Sequence, residues 1–196
     1  MARLLADIRA CRVCADQLGH EPRPIVQAHG EARILIVGQA PGRLVHETGA
    51  PFNDPSGDRL RAWMGIERAT FYDQTKIAIA AMGFCFPGVK NGADLPPRPE
   101  CAPLWRPRLM PLLAQVRLTL VIGAYAQRWH LAAKAGVTET VRAWDSFGPT
   151  RMPLPHPSWR NSAWLKRNPW FEAEALPALR ARVAAALGEE LGGASD

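Results

Sequence analysis

Four cysteines and two short loops hold the side chains of this sequence that are able to do chemistry. Cys11 and Cys14 form a C-x2-C pair, seventy residues intervene, and Cys85 and Cys101 enclose fifteen more. A two-residue spacer puts both sulfurs of the first pair on one side of an ion. Four soft thiolates in two sequence-local pairs therefore fit a tetrahedral zinc ion or an iron-sulfur cluster. Cys85 has no adjacent histidine that would activate it as a nucleophile.

The first loop, Gly38-Gln39-Ala40-Pro41-Gly42, reads as a tight turn. It is not a phosphate loop, because it lacks the Lys-Ser/Thr pair that reaches phosphates and magnesium. The chain then continues as a long loop through Gly49-Ala50-Pro51-Phe52-Asn53-Asp54-Pro55 to Ser56, a residue suited to cap the next helix. The second loop carries His156-Pro157-Ser158, an imidazole between two prolines, and runs on into Trp159, Arg160 and Asn161. His20, His29 and His130 belong to no motif and read as surface residues.

Such loops need a rigid frame. The run from Ala32 to Val37 predicts a strand buried on both faces, as in a parallel sheet under helices. Lys76 to Met82 and Leu118 to Ile122 predict further buried strands, and Pro103 to Val116 a mostly helical connection. Helices are expected from Arg59 to Met64 and from Ala124 to Ala135, and a hairpin over Val141 to Leu154 turning at Asp145-Ser146-Phe147-Gly148. Leu176, Leu179, Val183 and Leu187 share one stripe of a last helix ending at Gly188, ahead of a frayed tail from Gly192 to Asp196. Strands alternating with helices predict one three-layer α/β domain over residues 1–196, its central sheet mostly parallel and flanked by the cysteine segments. Ligands of such sheets bind beyond the carboxyl ends of the strands, here the segments 38–54, 83–91 and 153–161.

Composition agrees with a globular chain. The 196 residues are 47% hydrophobic and 21% charged, which supplies enough apolar surface to exclude disorder. No uncharged apolar run reaches the roughly 18 residues of a membrane span. The N-terminal MARLLADIRACRVC lacks the apolar region and cleavage site of a signal peptide, so the expected compartment is the reducing cytoplasm, where structural disulfides are rare. A net charge of +6 and a pI near 9.6 favour a polyanionic partner.

In this order and with this cysteine spacing, the motifs resemble the uracil-DNA glycosylase superfamily, specifically its iron-sulfur branch of bacteria and archaea. That branch has a first motif like G-E-A/P-P-G followed at fixed distance by G-x-P-F, and Gly38 to Gly42 with Gly49-Ala50-Pro51-Phe52 reproduce that frame without a gap. Its H-P-S motif corresponds to His156-Pro157-Ser158. The resemblance implies a three-layer α/β/α fold with a mostly parallel sheet, and a monomer acting on DNA that contains uracil or abasic sites. It also implies a structural 4Fe-4S cluster, in preference to zinc, on Cys11, Cys14, Cys85 and Cys101.

The implied chemistry is base flipping and hydrolysis of the N-glycosidic bond, in which an anionic base departs from a cationic sugar. By this resemblance His156 donates a hydrogen bond to the leaving uracil, Phe52 stacks on it, and Gly38, Ala40 and Pro41 form the turn beside it. Ser158 holds a phosphate and Arg160 fills the gap in the duplex. Trp159, Trp164, Lys166 and Arg167 supply a basic and aromatic surface for DNA, while Trp170 and Phe171 dock the last helix.

Two positions depart from the family pattern. Gln39 and Ala40 stand where relatives place a carboxylate that activates water, leaving Gln39 itself, Asp54 or His46 to orient it. Ala81 stands where the family has an asparagine that reads the base, leaving Asn53 or Asn91 as sources of an amide. The expectation is a glycosylase that removes uracil; the alternative is a protein that binds uracil or abasic sites with weak or no turnover.

Overall fold

The computed structural model describes residues 1–188. β1 (Ile34–Val37), β2 (Ile77–Ile79), β5 (Leu118–Ile122) and β6 (Arg151–Leu154) form one parallel sheet in the order β2-β1-β5-β6, and β3 (Val89–Lys90) and β4 (Ala93–Asp94) form a separate antiparallel hairpin. Parallel strands require crossover connections, and the intervening segments supply them as helices.

Side-chain alternation along β1 builds the layers. Ile34 and Ile36 enter one core with Leu60, Phe71, Leu120, Phe171, Leu179 and Val183, whereas Leu35 and Val37 enter another with Ile8, Ala78, Trp105, Leu109 and Val121. The sheet is therefore covered on both faces, as its uninterrupted apolar strands require. The last helix, Leu176–Leu187, buries Leu176, Leu179 and Val183 and closes on Gly188 in the left-handed conformation. Trp170 and Phe171 dock it as expected: Phe171 is fully buried and meets Trp63 edge-on at 5.0 Å. The tail from Gly192 to Asp196 lies outside the described residues.

Several expectations require correction. The stretch Val141 to Leu154 is not a hairpin. Thr140 and Val141 close a helix, Val137–Arg142, and a 3-10 turn, Trp144–Phe147, leads through Gly148 into β6. The turn residues at 145–148 thus end a crossover that brings β6 parallel to β5, with no antiparallel strand before it. The long first loop contains a helix, Arg43–Thr48, bounded by Gly42 and by Gly49 at φ 75°. Asp54, not Ser56, caps the next helix, because Pro55 takes its first position and Asp54 Oδ1 accepts the Gly57 N–H at 2.9 Å. Strand pairing of β2 stops at Ile79, after which Met82 and Gly83 donate to the carbonyls of Gly38 and Gln39 at 2.8 and 2.9 Å. Those bonds lay the segment after β2 along the first motif loop.

Candidate active-site cleft and thiol pocket

The carboxyl ends of β1, β2 and β6 converge on a cleft of about 570 Å³, within the range of small-ligand sites. Gly38, Gln39, Ala40, Pro41, Phe52, Asp54, Ala81, His156, Ser158 and Arg160 all line it. Asn53 and Asn91 do not. Asn53 Oδ1 accepts from Arg68 at 2.8 Å, and Asn91 sits with Gly92 at the exposed tip of the β3–β4 hairpin, both at positive φ. His46 is also absent from the lining and packs against His20 and Phe86.

His156 follows β6 directly. The backbone N–H of Ser158 donates to its Nδ1 at 3.2 Å, and the Asn161 amide donates to its carbonyl at 2.7 Å. Arg59 holds the loop from the other side, donating to the Ser158 carbonyl at 2.9 Å. Burial pushes the His156 pKa down, against the opposing pull of the Asp54 and Asp94 carboxylates and with a smaller downward push from Arg160. A neutral imidazole whose Nδ1 accepts must carry its proton on Nε2, so His156 is a hydrogen-bond donor in this cleft.

Phe52 has a backbone φ of 53°, a strained choice for a large side chain. Its neighbours hold it there: Arg61 donates to its carbonyl at 3.4 Å, and Tyr72 Oη donates to the carbonyl of Pro51 at 3.0 Å. The Phe52 ring meets Phe71 edge-on at 6.2 Å, and the buried Arg61 guanidinium lies over Phe71 and Tyr72. An edge-supported ring at the cleft wall leaves a face for stacking.

The two polar candidates of the first loop are already engaged. Gln39 Nε2 donates to the Leu95 carbonyl at 3.1 Å, and Asp54 is the helix cap. Arg160 Nη2 donates to the Gly92 carbonyl at 2.8 Å, so the His156 loop is tied to the β3–β4 hairpin across the cleft mouth. Trp159 is 72% exposed beside it, whereas Trp164 is packed on the core with its indole N–H on Thr138 Oγ1, so only the first of these tryptophans belongs to the surface at the cleft.

Cys11, Cys14, Cys85 and Cys101 line one cavity on the other side of the 83–85 segment, with Phe84 and Trp105. Burial, and then the neighbouring Cys101 thiol, push Cys85 up to about 12. Burial pushes Cys101 up to about 11, despite a hydrogen bond from the Phe84 N–H at 3.3 Å. The donor set is all soft sulfur, with Glu100 beside Cys14. Among the described residues, no group of three or more His, Cys, Asp or Glu side chains is arranged to hold a single metal ion.

Sequence reasoning missed three residues. Gly57 permits the close approach of the Phe52 backbone. Arg23 lies between the two sites: its backbone amide favours the Cys85 thiolate against the effect of burial, while its guanidinium donates to the carbonyls of His46 and Glu47 at 2.6 and 2.8 Å, closing the helix that begins at Gly42. Asp94 lines the cleft from β4. The Asn91-Gly92 pair, a strong hairpin signal between Val89-Lys90 and Ala93-Asp94, would have located it.

A doubly covered parallel sheet with a ligand cleft at its carboxyl edge, holding an apolar ring and a neutral imidazole, defines an α/β protein with a small-ligand site at its strand ends. The comparisons give its family. The family model described as the uracil DNA glycosylase superfamily matches residues 26–180, and the chain belongs to that superfamily. Among solved structures, the fold is similar to the solution structure of a candidate uracil DNA glycosylase from Methanosarcina acetivorans. The TM-score is 0.52 at 16% identity, over 82% of this chain and 97% of that one. No helix among the described residues is long and apolar enough to cross a membrane.

Proposed function

We propose that this protein is a uracil-DNA glycosylase of base-excision repair, which flips a uracil nucleotide out of DNA and hydrolyses its N-glycosidic bond to leave an abasic site. The observation that carries this reading is the Ser158 N–H on His156 Nδ1, which leaves Nε2–H as a donor in the cleft that Phe52 also lines. Uracil stacked on Phe52 presents a carbonyl oxygen that gains negative charge as the bond breaks, and a fixed neutral donor stabilises that oxygen more in the transition state than in the ground state. Ser158, which lines the cleft, would take the flanking phosphate, and Arg160 would leave Gly92 to occupy the vacated stack. The basic balance of the chain suits a DNA partner bound through its phosphates, by a monomer in the bacterial cytoplasm.

The four cysteines would hold a 4Fe-4S cluster in a structural role, binding the N-terminal segment to the loops behind the cleft. A zinc ion bonds sulfur at about 2.3 Å and so draws its ligands into a tight tetrahedron. Four soft thiolates around one cavity also suit a cluster, in which each thiolate takes its own iron.

The test is incubation of the purified protein with single- and double-stranded oligonucleotides carrying uracil, hypoxanthine or xanthine, followed by alkaline cleavage of abasic sites. Strand scission at uracil supports the proposal, and no product from any substrate rejects it. A second reading, tight binding of uracil or abasic sites with weak turnover, is favoured by the engagement of the Gln39 amide with Leu95 and by the bare methyl of Ala81. Single-turnover product without a second turnover would select it.

A further inference from the structure

Hydrolysis of a glycosidic bond needs a group that takes a proton from water and faces the cationic sugar, a role filled in glycoside hydrolysis by carboxylates. Asp54 and Asp94 are the carboxylates among the described residues that line the cleft. Asp54 spends Oδ1 on the Gly57 N–H as a helix cap. The Asp94 side chain, by contrast, makes no hydrogen bond or ion pair among the described residues, and its Oδ2 lies 3.9 Å from where a Cβ would stand on Gly42. It also acts on the His156 imidazole, opposing the effect of Arg160.

Gln39 holds Asp94 there by gripping the next residue through the Leu95 carbonyl, and in the DNA-free protein Arg160 grips the hairpin turn at Gly92 as well. The Leu95 N–H in turn donates to the Gly88 carbonyl at 2.9 Å and closes the hairpin base. We infer that Asp94, carried into the cleft by the β3–β4 hairpin, is the catalytic base that activates water, and that Gln39 is a positioning residue for it. This inference rests on the glycosylase reading.

In the step, Asp94 accepts a proton from water as the water oxygen bonds to C1′ of the sugar. The bond from C1′ to uracil N1 breaks, and its electron pair leaves with the base, which is held by the His156 Nε2–H. The proton on Asp94 then passes to the departing uracil anion, restoring the carboxylate. Water and the uracil nucleotide are the only reactants.

The test compares wild-type, Asp94→Asn and Asp94→Ala proteins in single-turnover excision and in equilibrium binding of a uracil oligonucleotide. The expected result is a rate loss of about 10²- to 10⁴-fold in both variants, little change in binding for Asp94→Asn, and partial rescue of Asp94→Ala by added formate. A wild-type rate in Asp94→Asn overturns the inference while leaving the glycosylase reading intact, and so does a rate loss that follows weakened binding and resists formate. A wild-type protein that excises no base overturns both.

Discussion

Phe52 and Gly57 fit each other at backbone distance: a Cβ on Gly57 would stand 1.8 Å from the Phe52 carbonyl oxygen and 2.7 Å from its carbonyl carbon. Backbone cannot yield as a flexible side chain does. Gly57→Ala must therefore push the 51–53 turn out of place, moving the ring that lines the cleft. The expected outcome is a stability loss of about 1–3 kcal/mol in denaturant melts, with excision reduced well beyond what the unfolded fraction explains. Wild-type excision in the folded variant would mean that the turn adapts without consequence.

Removing the ring itself separates stacking from backbone. Phe52→Ala keeps the Cβ, and with it the cost of the positive φ, but deletes the stacking face, so binding of a uracil oligonucleotide is expected to weaken by about 1–3 kcal/mol. Phe52→Tyr keeps the face and should stay near wild type. Equal affinity for all three proteins, measured by fluorescence anisotropy, would remove Phe52 from the base site.

His156 supplies a second, independent effect. His156→Ala is expected to lower the single-turnover rate by about 10²- to 10³-fold while oligonucleotide affinity changes little, because its donor acts most strongly on charge that develops during the reaction. Burial depresses its pKa, so the neutral donor persists below the ordinary histidine range and the wild-type rate should stay flat from neutral pH down to that range. A rate that falls steadily as pH drops from 7.5 would show instead that the neutral imidazole is already lost to protonation within the ordinary histidine range.

Much of this frame was legible because it rests on local signals. Ile34 to Val37 and Leu118 to Ile122 are apolar runs too continuous for a one-sided strand, and the sheet buries them on both faces. His156 and Phe52 were legible as members of motifs, and the cysteines as paired spacings that meet in one cavity. What was hidden depends on partners distant in sequence. Asp145-Ser146-Phe147-Gly148 looks like a hairpin turn because turn chemistry does not encode whether the next strand pairs forward or back, and β6 pairs with β5. Gln39 looked like a substitute catalyst, but its amide has a carbonyl partner 56 residues away. Asp94 belongs to no motif of its own and reaches the cleft on a hairpin that Gln39 and, in the DNA-free protein, Arg160 hold.

The thiol pocket is testable by composition before activity. Protein purified anaerobically is expected to contain about four iron atoms per chain with matching acid-labile sulfide, and Cys85→Ser should lose that iron. Since the thiols gather the N-terminal segment and the 83–101 segment around one cavity, the same variant should also melt at lower temperature. Zinc at one per chain without sulfide would instead assign the thiols to a single ion.

Acid should destabilise the fold through a histidine remote from the cleft. His130 has a buried Nε2 without a partner, and burial, followed by Arg106 and Arg151, pushes its pKa down to about 4 from 6.5. Above pH 6.5 the ring is neutral in both folded and unfolded chains and contributes no pH dependence. Between 6.5 and about 4 the unfolded chain takes up a proton that the folded chain refuses, so stability falls as pH drops through that window. His46 and His156, also shifted down by burial, act in the same direction. His130→Leu removes one of these sites along with its unpartnered nitrogen, and its melting temperature should decline less steeply across the window than that of the wild type. Parallel declines for the two proteins would show that His130 titrates alike in folded and unfolded chains, and that the acid sensitivity lies in other groups.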